Sequence, residues 1–307
     1  MIVSRMVDPK MEIDDLAIFG GLPTFDRVRS TSNLVSPDFD RFIEYSGAFI
    51  EARHYSNGGP LAQLLEKRLA DFHGADHCVA VASGFWGLVL ALRALAIEGR
   101  TEAVMPSLTY RRMADAVAWA GLTPHYCEVD PETLAATPAT MSECITPRTA
   151  ILLGVHPIVG ICDASSLNRL AESHGLPILF DSVESAYETT PGGRVGSFGD
   201  AELFSLHASK LLNGFEGGYV TTPNADIARQ IRAMRGFGFE VQDRVDYLGT
   251  NAKLNEVHAA MTMASLDDVD AQVERNRRRY EVYKRELATV DGVRLVPFQP
   301  EYRPGYK

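Results

Sequence analysis

No Cys-x-x-Cys occurs in the 307 residues, and the four cysteines, Cys78, Cys127, Cys144 and Cys162, stand far apart. That spacing excludes a zinc knuckle and a dithiol redox pair, and no metal-ligating cluster is indicated. Cys78 and Cys127 fall in apolar, strand-like runs and read as small core residues. No apolar run is long enough to span a membrane. The opening Met1-Ile2-Val3-Ser4-Arg5 has no signal-peptide core, and acidic residues follow at once. Positive charge is also in short supply, with a net charge of −10 and a pI of about 5.3. This excludes nucleic acid or an anionic membrane as the main partner. Any phosphate site must therefore be local and built from backbone amides and hydroxyls. These absences together describe a soluble, reduced, cytoplasmic protein.

What is present is 46% hydrophobic residues, enough for a substantial core and for two domains or one large domain with an appendage. Residues 1–57 are mixed in pattern, with a turn at Gly20-Gly21-Leu22-Pro23. From Gly59-Pro60 a helical period sets in at Leu61, Leu64, Leu65, Leu69 and Phe72 and stops at Gly74. Strands and helices then alternate. The pattern predicts strands over 77–82, 103–105, 149–155, 177–181, 202–206 and 218–222. It predicts helices over 85–95, 109–120, 165–174 and 225–234, then one long helix from about 255 to 285. The run Glu274-Arg275-Asn276-Arg277-Arg278-Arg279 reads as the solvated face of that helix. Continuous apolar strands between amphipathic helices give an α/β fold, a three-layer, mostly parallel sheet covered on both faces. The expected division is an N-terminal segment (1–57), a large domain (58–245) and a partial small C-terminal domain (246–307).

Ligands of such sheets bind at the carboxyl ends of the strands. Four candidate segments fall there: Ser83-Gly84, Ser107 to Tyr110, Asp181, and Ser205 to Lys210. A lysine and an aspartate so placed are what pyridoxal 5′-phosphate (PLP) needs. The lysine holds the aldehyde, and the aspartate keeps the pyridine nitrogen protonated. Ser83-Gly84 opens a helix whose first amides form a phosphate seat, or else Ser83 is an ordinary helix cap. Tyr110 can stack on a cofactor ring or pack against its own helix. Asp181, closing four apolar residues, needs a partner or a task, unless it caps a helix. Ser205 can reach the phosphate while Lys210 reaches the aldehyde. Gly214, Gly217 and Gly218 would let the chain leave a crowded site.

Several of these residues coincide, in order and spacing, with one family. The segments are Asn57-Gly58-Gly59-Pro60, Ala82-Ser83-Gly84, Pro106-Ser107-Leu108-Thr109-Tyr110, Ile145-Thr146-Pro147-Arg148-Thr149, Val155-His156, Asp181, Val195-Gly196-Ser197, the Phe204 to Lys210 block and Gly249-Thr250-Asn251. From about residue 14 to 290 the chain resembles the PLP-dependent sugar and cyclitol aminotransferases of the DegT/StrS group, of the aspartate aminotransferase-like fold type I. The segment from Leu16 to Pro23 is similar to the aminocyclitol and antibiotic branches. The resemblance implies that Lys210 is the Schiff-base lysine and Asp181 the partner of the pyridine nitrogen. Tyr110 would stack on the ring. Ser205 and the amides of Gly84 and Phe85 after Ser83 would hold the phosphate. Asn251 would reach the phosphate of a neighbouring subunit in a homodimer with shared sites.

There are departures. Phe85-Trp86 stand where the family has Thr-Ala, which leaves more of the phosphate to backbone amides. Glu184 stands where the family has a Gln or His that contacts the cofactor's ring oxygen. A carboxylate beside that oxygen is repulsive unless it is protonated or turned away. Asn-x-Arg-Met becomes Asn251-Ala252-Lys253-Leu254, the glycine after Val155-His156 is displaced to Gly160, and family members usually continue beyond residue 307. The leading expectation is transamination from glutamate or glutamine to a keto-sugar or keto-cyclitol, as in amino-sugar or antibiotic biosynthesis. Lys210 shuttles the proton. Two rivals stand beside it. One is other PLP chemistry such as epimerisation; the other is a truncated, non-catalytic binding or regulatory homologue.

Overall fold

The computed structural model describes residues 12–28, 36–158, 160–241 and 243–306. The opening five residues, Val159 in the Val155-to-Gly160 stretch, and Lys307 lie outside them. The chain divides into two units, Met1–Asn33 and Leu34–Lys307. In the first, Ile13–Asp15 and Ala17–Phe19 form single 3₁₀ turns, and Gly20 reverses the chain at φ 100°.

The second unit is built on a seven-stranded sheet. In spatial order its strands are His77–Val81, Gly218–Thr222, Ala201–Ser205, Ile178–Asp181, Thr149–Val155, Glu102–Pro106 and Thr123–Cys127. Gly218–Thr222 runs antiparallel to both its neighbours, and the other contacts are parallel. Side chains alternate between the faces as the strand period requires. Leu152, Phe180 and Phe204 join one buried cluster, and Ile151, Leu153, Leu179 and Leu203 the other. The fold is the expected α/β sheet covered on both faces.

Helix Pro60–His73 shows why the sequence folds as it does. Pro60 occupies its first position, Leu61, Leu65 and Leu69 line one buried face, and Gly74 ends it at φ 68°. Burying each such leucine contributes about 1.5–3 kcal/mol. Truncating the fully enclosed Leu69 to Ala would cost about 2–5 kcal/mol.

Three expectations need correction. The helix expected over 109–120 is only Met113–Trp119. Residues 107–112 form a turn, in which the Tyr110 carbonyl accepts the Met113 amide (2.8 Å). The apolar period there rests on Met113, Ala116 and Val117, too few to extend a helix back to Thr109. The long C-terminal helix is two, Glu256–Asp267 and Val269–Leu287, broken at Asp268. Asp268 leaves helical geometry (φ −102°, ψ 1°) without a side-chain cap bond, and burial changes at the break: the first helix is enclosed almost all round, whereas the second buries only Val269, Gln272, Val273 and Asn276. The mixed segment before residue 57 contains a regular helix, Phe39–Ala52, whose Asp38 cap accepts the amides of Asp40 and Arg41.

The parallel strands all end on one edge of the sheet. Register pairs Val155 with Asp181 and Asp181 with Leu203, so Ser205 lies just beyond them.

Candidate active site

At that edge Lys210 follows the strand Ala201–Ser205 through a turn in which its amide donates to the His207 carbonyl (2.8 Å). Its ammonium donates to the Glu184 carboxylate in an ion pair whose side chains are 18% and 14% exposed. Burial depresses the ammonium's pKa below the ordinary lysine value, while the charges of Asp181 and Tyr110 pull it back up.

Asp181 closes its strand with only 4% of its surface exposed. Burial raises its carboxyl above the usual carboxylate range, opposed by the Val183 amide (3.1 Å to Oδ1), Lys210 and His156. Behind it, His156 is fully buried and its ring stacks on Phe180, centroids 5.6 Å apart. Its Nδ1 lies 3.3 Å from the Cys162 amide and its Nε2 3.7 Å from Glu202 Oε2. Burial works against charge on the ring, but Cys162 and Glu202 carry its pKa up to about 10, which favours an imidazolium behind Asp181.

The strand that leads to Lys210 ends at Ser205, against the start of the helix Gly84–Leu95. Ser83 caps helix Gly84–Leu95, its Oγ accepting the Trp86 amide (3.2 Å). The cap role anticipated as the alternative for this serine is therefore what its hydroxyl does within the chain. The helix's own bond pattern leaves the Gly84 and Phe85 amides for a ligand, at the electropositive end of the dipole. Gly84 packs directly on Ser205, and a Cβ on Gly218 would stand 2.6 Å from the Gly84 nitrogen, so only glycine fits there. Gly217, at φ 137°, takes a backbone conformation that other residues adopt at a strain. Ser205 Oγ accepts the His207 amide (3.3 Å).

Of the residues singled out by sequence, the fold brings Lys210, Asp181 and Glu184 together, with Tyr110 near enough for its charge to reach Lys210, and sets Ser83, Gly84 and Ser205 side by side. Tyr110 is 57% exposed. Asn251 is exposed, its Oδ1 accepting the Lys253 ammonium (2.6 Å). Its segment runs along the His77–Val81 strand, and the Ala82 amide donates to the Ala252 carbonyl (2.8 Å).

Sequence reasoning missed Glu202. This fully buried carboxylate accepts the Gly196 and Phe198 amides (2.7 and 2.6 Å) and the Ser182 hydroxyl. It fixes the Val195–Ser197 turn against the back of the Asp181 strand. An ionisable residue inside Ala201-Glu202-Leu203-Phe204 was the available signal. Glu188 was missed as well: it is 5% exposed, and its Oε2 meets no hydrogen-bond partner among the described residues.

The donor set suits a ligand with three distinct groups. Backbone amides and a hydroxyl match a phosphate, a buried carboxylate matches a protonated ring nitrogen, and a partly desolvated amine matches an aldehyde. Pyridoxal phosphate has all three. Among the described residues no cluster of His, Cys, Asp and Glu gathers as a metal site, and no helix is long and apolar enough to cross a membrane.

The sequence pattern of the DegT/DnrJ/EryC1/StrS aminotransferase family matches residues 39–305. The chain is 34% identical to GDP-perosamine synthase of Caulobacter vibrioides, over 76% of this chain and 63% of the relative. It is 33% identical to L-glutamine:2-deoxy-scyllo-inosose aminotransferase of Streptomyces fradiae, over 74% of this chain and 55% of the relative. The alignments thus span less than two thirds of these relatives' lengths. Among solved structures, DesI with its TDP-sugar product superposes with a TM-score of 0.89 at 37% identity, covering 96% of this chain and 75% of DesI. Streptomyces venezuelae DesV, in complex with a ketimine intermediate, follows at a TM-score of 0.82 and 30% identity, covering 87% and 72%.

Proposed function

This chain belongs to the DegT/DnrJ/EryC1/StrS aminotransferase family, and from that membership we propose that it moves an amino group from glutamate or glutamine to a keto-sugar or keto-cyclitol, with pyridoxal phosphate as cofactor. The observation that supports this most is the convergence of Lys210, Asp181 and the Gly84–Ser205 cradle on one edge of the sheet.

Bound there, pyridoxal phosphate would supply an electron sink for breaking a bond at the substrate's amino-bearing carbon. Lys210 would hold the aldehyde and would move the proton at that carbon as base and then acid. Its burial favours a neutral amine, the form that can take a proton. Asp181 holds positive charge on the ring nitrogen. The Gly84 and Phe85 amides with Ser83 and Ser205 seat the phosphate, and Tyr110 covers the ring. Asn251 serves the phosphate of a second copy. A homodimer is supported by Phe39, Ile43 and Ile50, which leave an apolar stripe of helix Phe39–Ala52 exposed at 68, 52 and 59%. The alternation of an amino donor and an oxo acceptor at one site predicts ping-pong kinetics.

Adding the cofactor to purified protein should generate an absorbance band that Lys210→Ala cannot form; identical spectra would sink the assignment. Incubation with glutamine or glutamate and a panel of keto-sugars and keto-cyclitols should release the oxo acid. Racemisation of the acceptor without oxo-acid release would indicate epimerisation instead.

A further inference from the structure

Glu184 Oε1 touches the nitrogen on which the chemistry turns. As the ion pair stands, Lys210 is an ammonium without a lone pair, and an ammonium cannot attack a carbonyl. Its proton must pass to a neighbour. The charged and titratable groups that bear on it are Glu184, Asp181 and Tyr110. Asp181 is the buried carboxylate needed, ionised, at the ring nitrogen. Glu184, not Tyr110, is in hydrogen-bond contact with Nζ.

A second difficulty has the same address. In pyridoxal the phenolic oxygen sits on the ring carbon next to the one bearing the aldehyde. A side chain in contact with Lys210 Nζ therefore stands close to that oxygen, and an ionised carboxylate there would repel it. One proton removes both difficulties.

We infer that Glu184 takes the proton of Lys210 as the lysine captures the cofactor aldehyde, and then remains as a neutral acid that donates to the ring oxygen. The step balances without an outside reagent. One Nζ–H bond breaks and an O–H bond forms on Glu184. The freed lone pair attacks the aldehyde carbon, and the two hydrogens left on Nζ depart with the carbonyl oxygen as water. Nothing is oxidised or reduced. Both side chains are under one fifth exposed, an environment in which a neutral pair is favoured over an ion pair relative to water. The same proton then makes Glu184 a hydrogen-bond donor. The inference rests on the pyridoxal-phosphate reading above.

Infrared difference spectra of the full chain before and after addition of pyridoxal phosphate test it. A new carboxylic-acid C=O band should appear on loading, shift when the protein carries isotopically labelled glutamate, and vanish in Glu184→Gln. The labelled wild type gives the answer even if the variant folds poorly. A visible chromophore without that band, an unshifted band, or a band that persists in Glu184→Gln overturns the inference. Absence of the chromophore itself overturns the cofactor reading beneath it, so the two failures are distinguishable. A cofactor-free readout is the pH profile of Lys210 acylation, followed by peptide mass spectrometry. Removing the carboxylate should lower its midpoint by about 1–3 units, and an unmoved midpoint contradicts the pairing.

Discussion

Gly84 and Ser205 face each other so closely that a Cβ on Gly84 would stand 3.2 Å from the Ser205 Cβ and 3.4 Å from its Cα and Oγ. The helix N-terminus and the serine are thus packed together with little room for a side chain between them. Gly84→Ala suits the helix itself, since alanine is the better helix former. It would nonetheless push Ser205 by a few tenths of an ångström and alter the cradle. Affinity for pyridoxal phosphate should fall about tenfold, roughly 1.4 kcal/mol, with thermal stability nearly unchanged. Equilibrium titration of cofactor absorbance or fluorescence measures this; unaltered affinity would show that the phosphate does not lie there.

Asp181→Asn keeps the shape of the strand end and removes its charge. Burial already works against the charged form in the fold, so the neutral amide should leave the melting temperature equal or higher. Turnover should drop by at least about a hundredfold, the scale of losing one preorganised electrostatic group. Steady-state kinetics beside a thermal melt separate the two effects. Turnover within about tenfold of wild type would remove Asp181 from its proposed place at the ring nitrogen.

Much of this was legible in the residues, and the gaps have physical causes. The apolar runs 149–155 and 218–222 coincide with their strands end to end because every position in them faces a core. Thr123–Cys127 went unseen because it is an edge strand that pairs on one side only, tolerating Pro124 and an exposed Tyr126. The strand ends, with Lys210 and Asp181, could be placed from pattern and resemblance. What pattern could not supply was the long-range pairing: Glu184 on Lys210, Glu202 on Ser182, Gly218 against Gly84. Each joins segments whose proximity only the sheet order determines.

One such long-range contact is structural. The carboxylate of Glu256, fully buried, accepts the Leu61 and Ala62 amides (2.8 and 2.9 Å), so a helix near the C-terminus caps one near the N-terminus. A Cβ at Gly59 would come within 2.6 Å of that carboxylate, which accounts for the glycine before Pro60. Glu256→Ala would strand two buried donors and should cost about 3–5 kcal/mol. Urea denaturation should show a lower midpoint; a change under about 0.5 kcal/mol, typical of surface substitutions, would mean the cap is dispensable.

Glu188 gives the stability a pH dependence of definite sign. Burial pushes its carboxyl up from 4.5 to about 7, against the lowering effects of His156, the Gly305 amide and Ser185. The native state therefore binds this proton more tightly than the unfolded chain does. Its contribution is fully present below about pH 4.5 and is lost as pH rises to about 7, on the order of 3 kcal/mol in all. His73 slopes the other way. Burial lowers its imidazole to about 4, despite help from the Val195 carbonyl and Glu202, so its contribution is lost as pH falls from 6.5 towards 4. The two partly cancel in the wild type. The informative quantity is the stability of Glu188→Gln minus that of wild type, in which His73 drops out. That difference should climb steadily between about pH 4.5 and 7 and level off above, and denaturant titrations at a series of pH values would read it directly. A difference that stays flat across the range would mean that Glu188 ionises in the fold as it does in water, and that its buried oxygen is stabilised by something other than a proton.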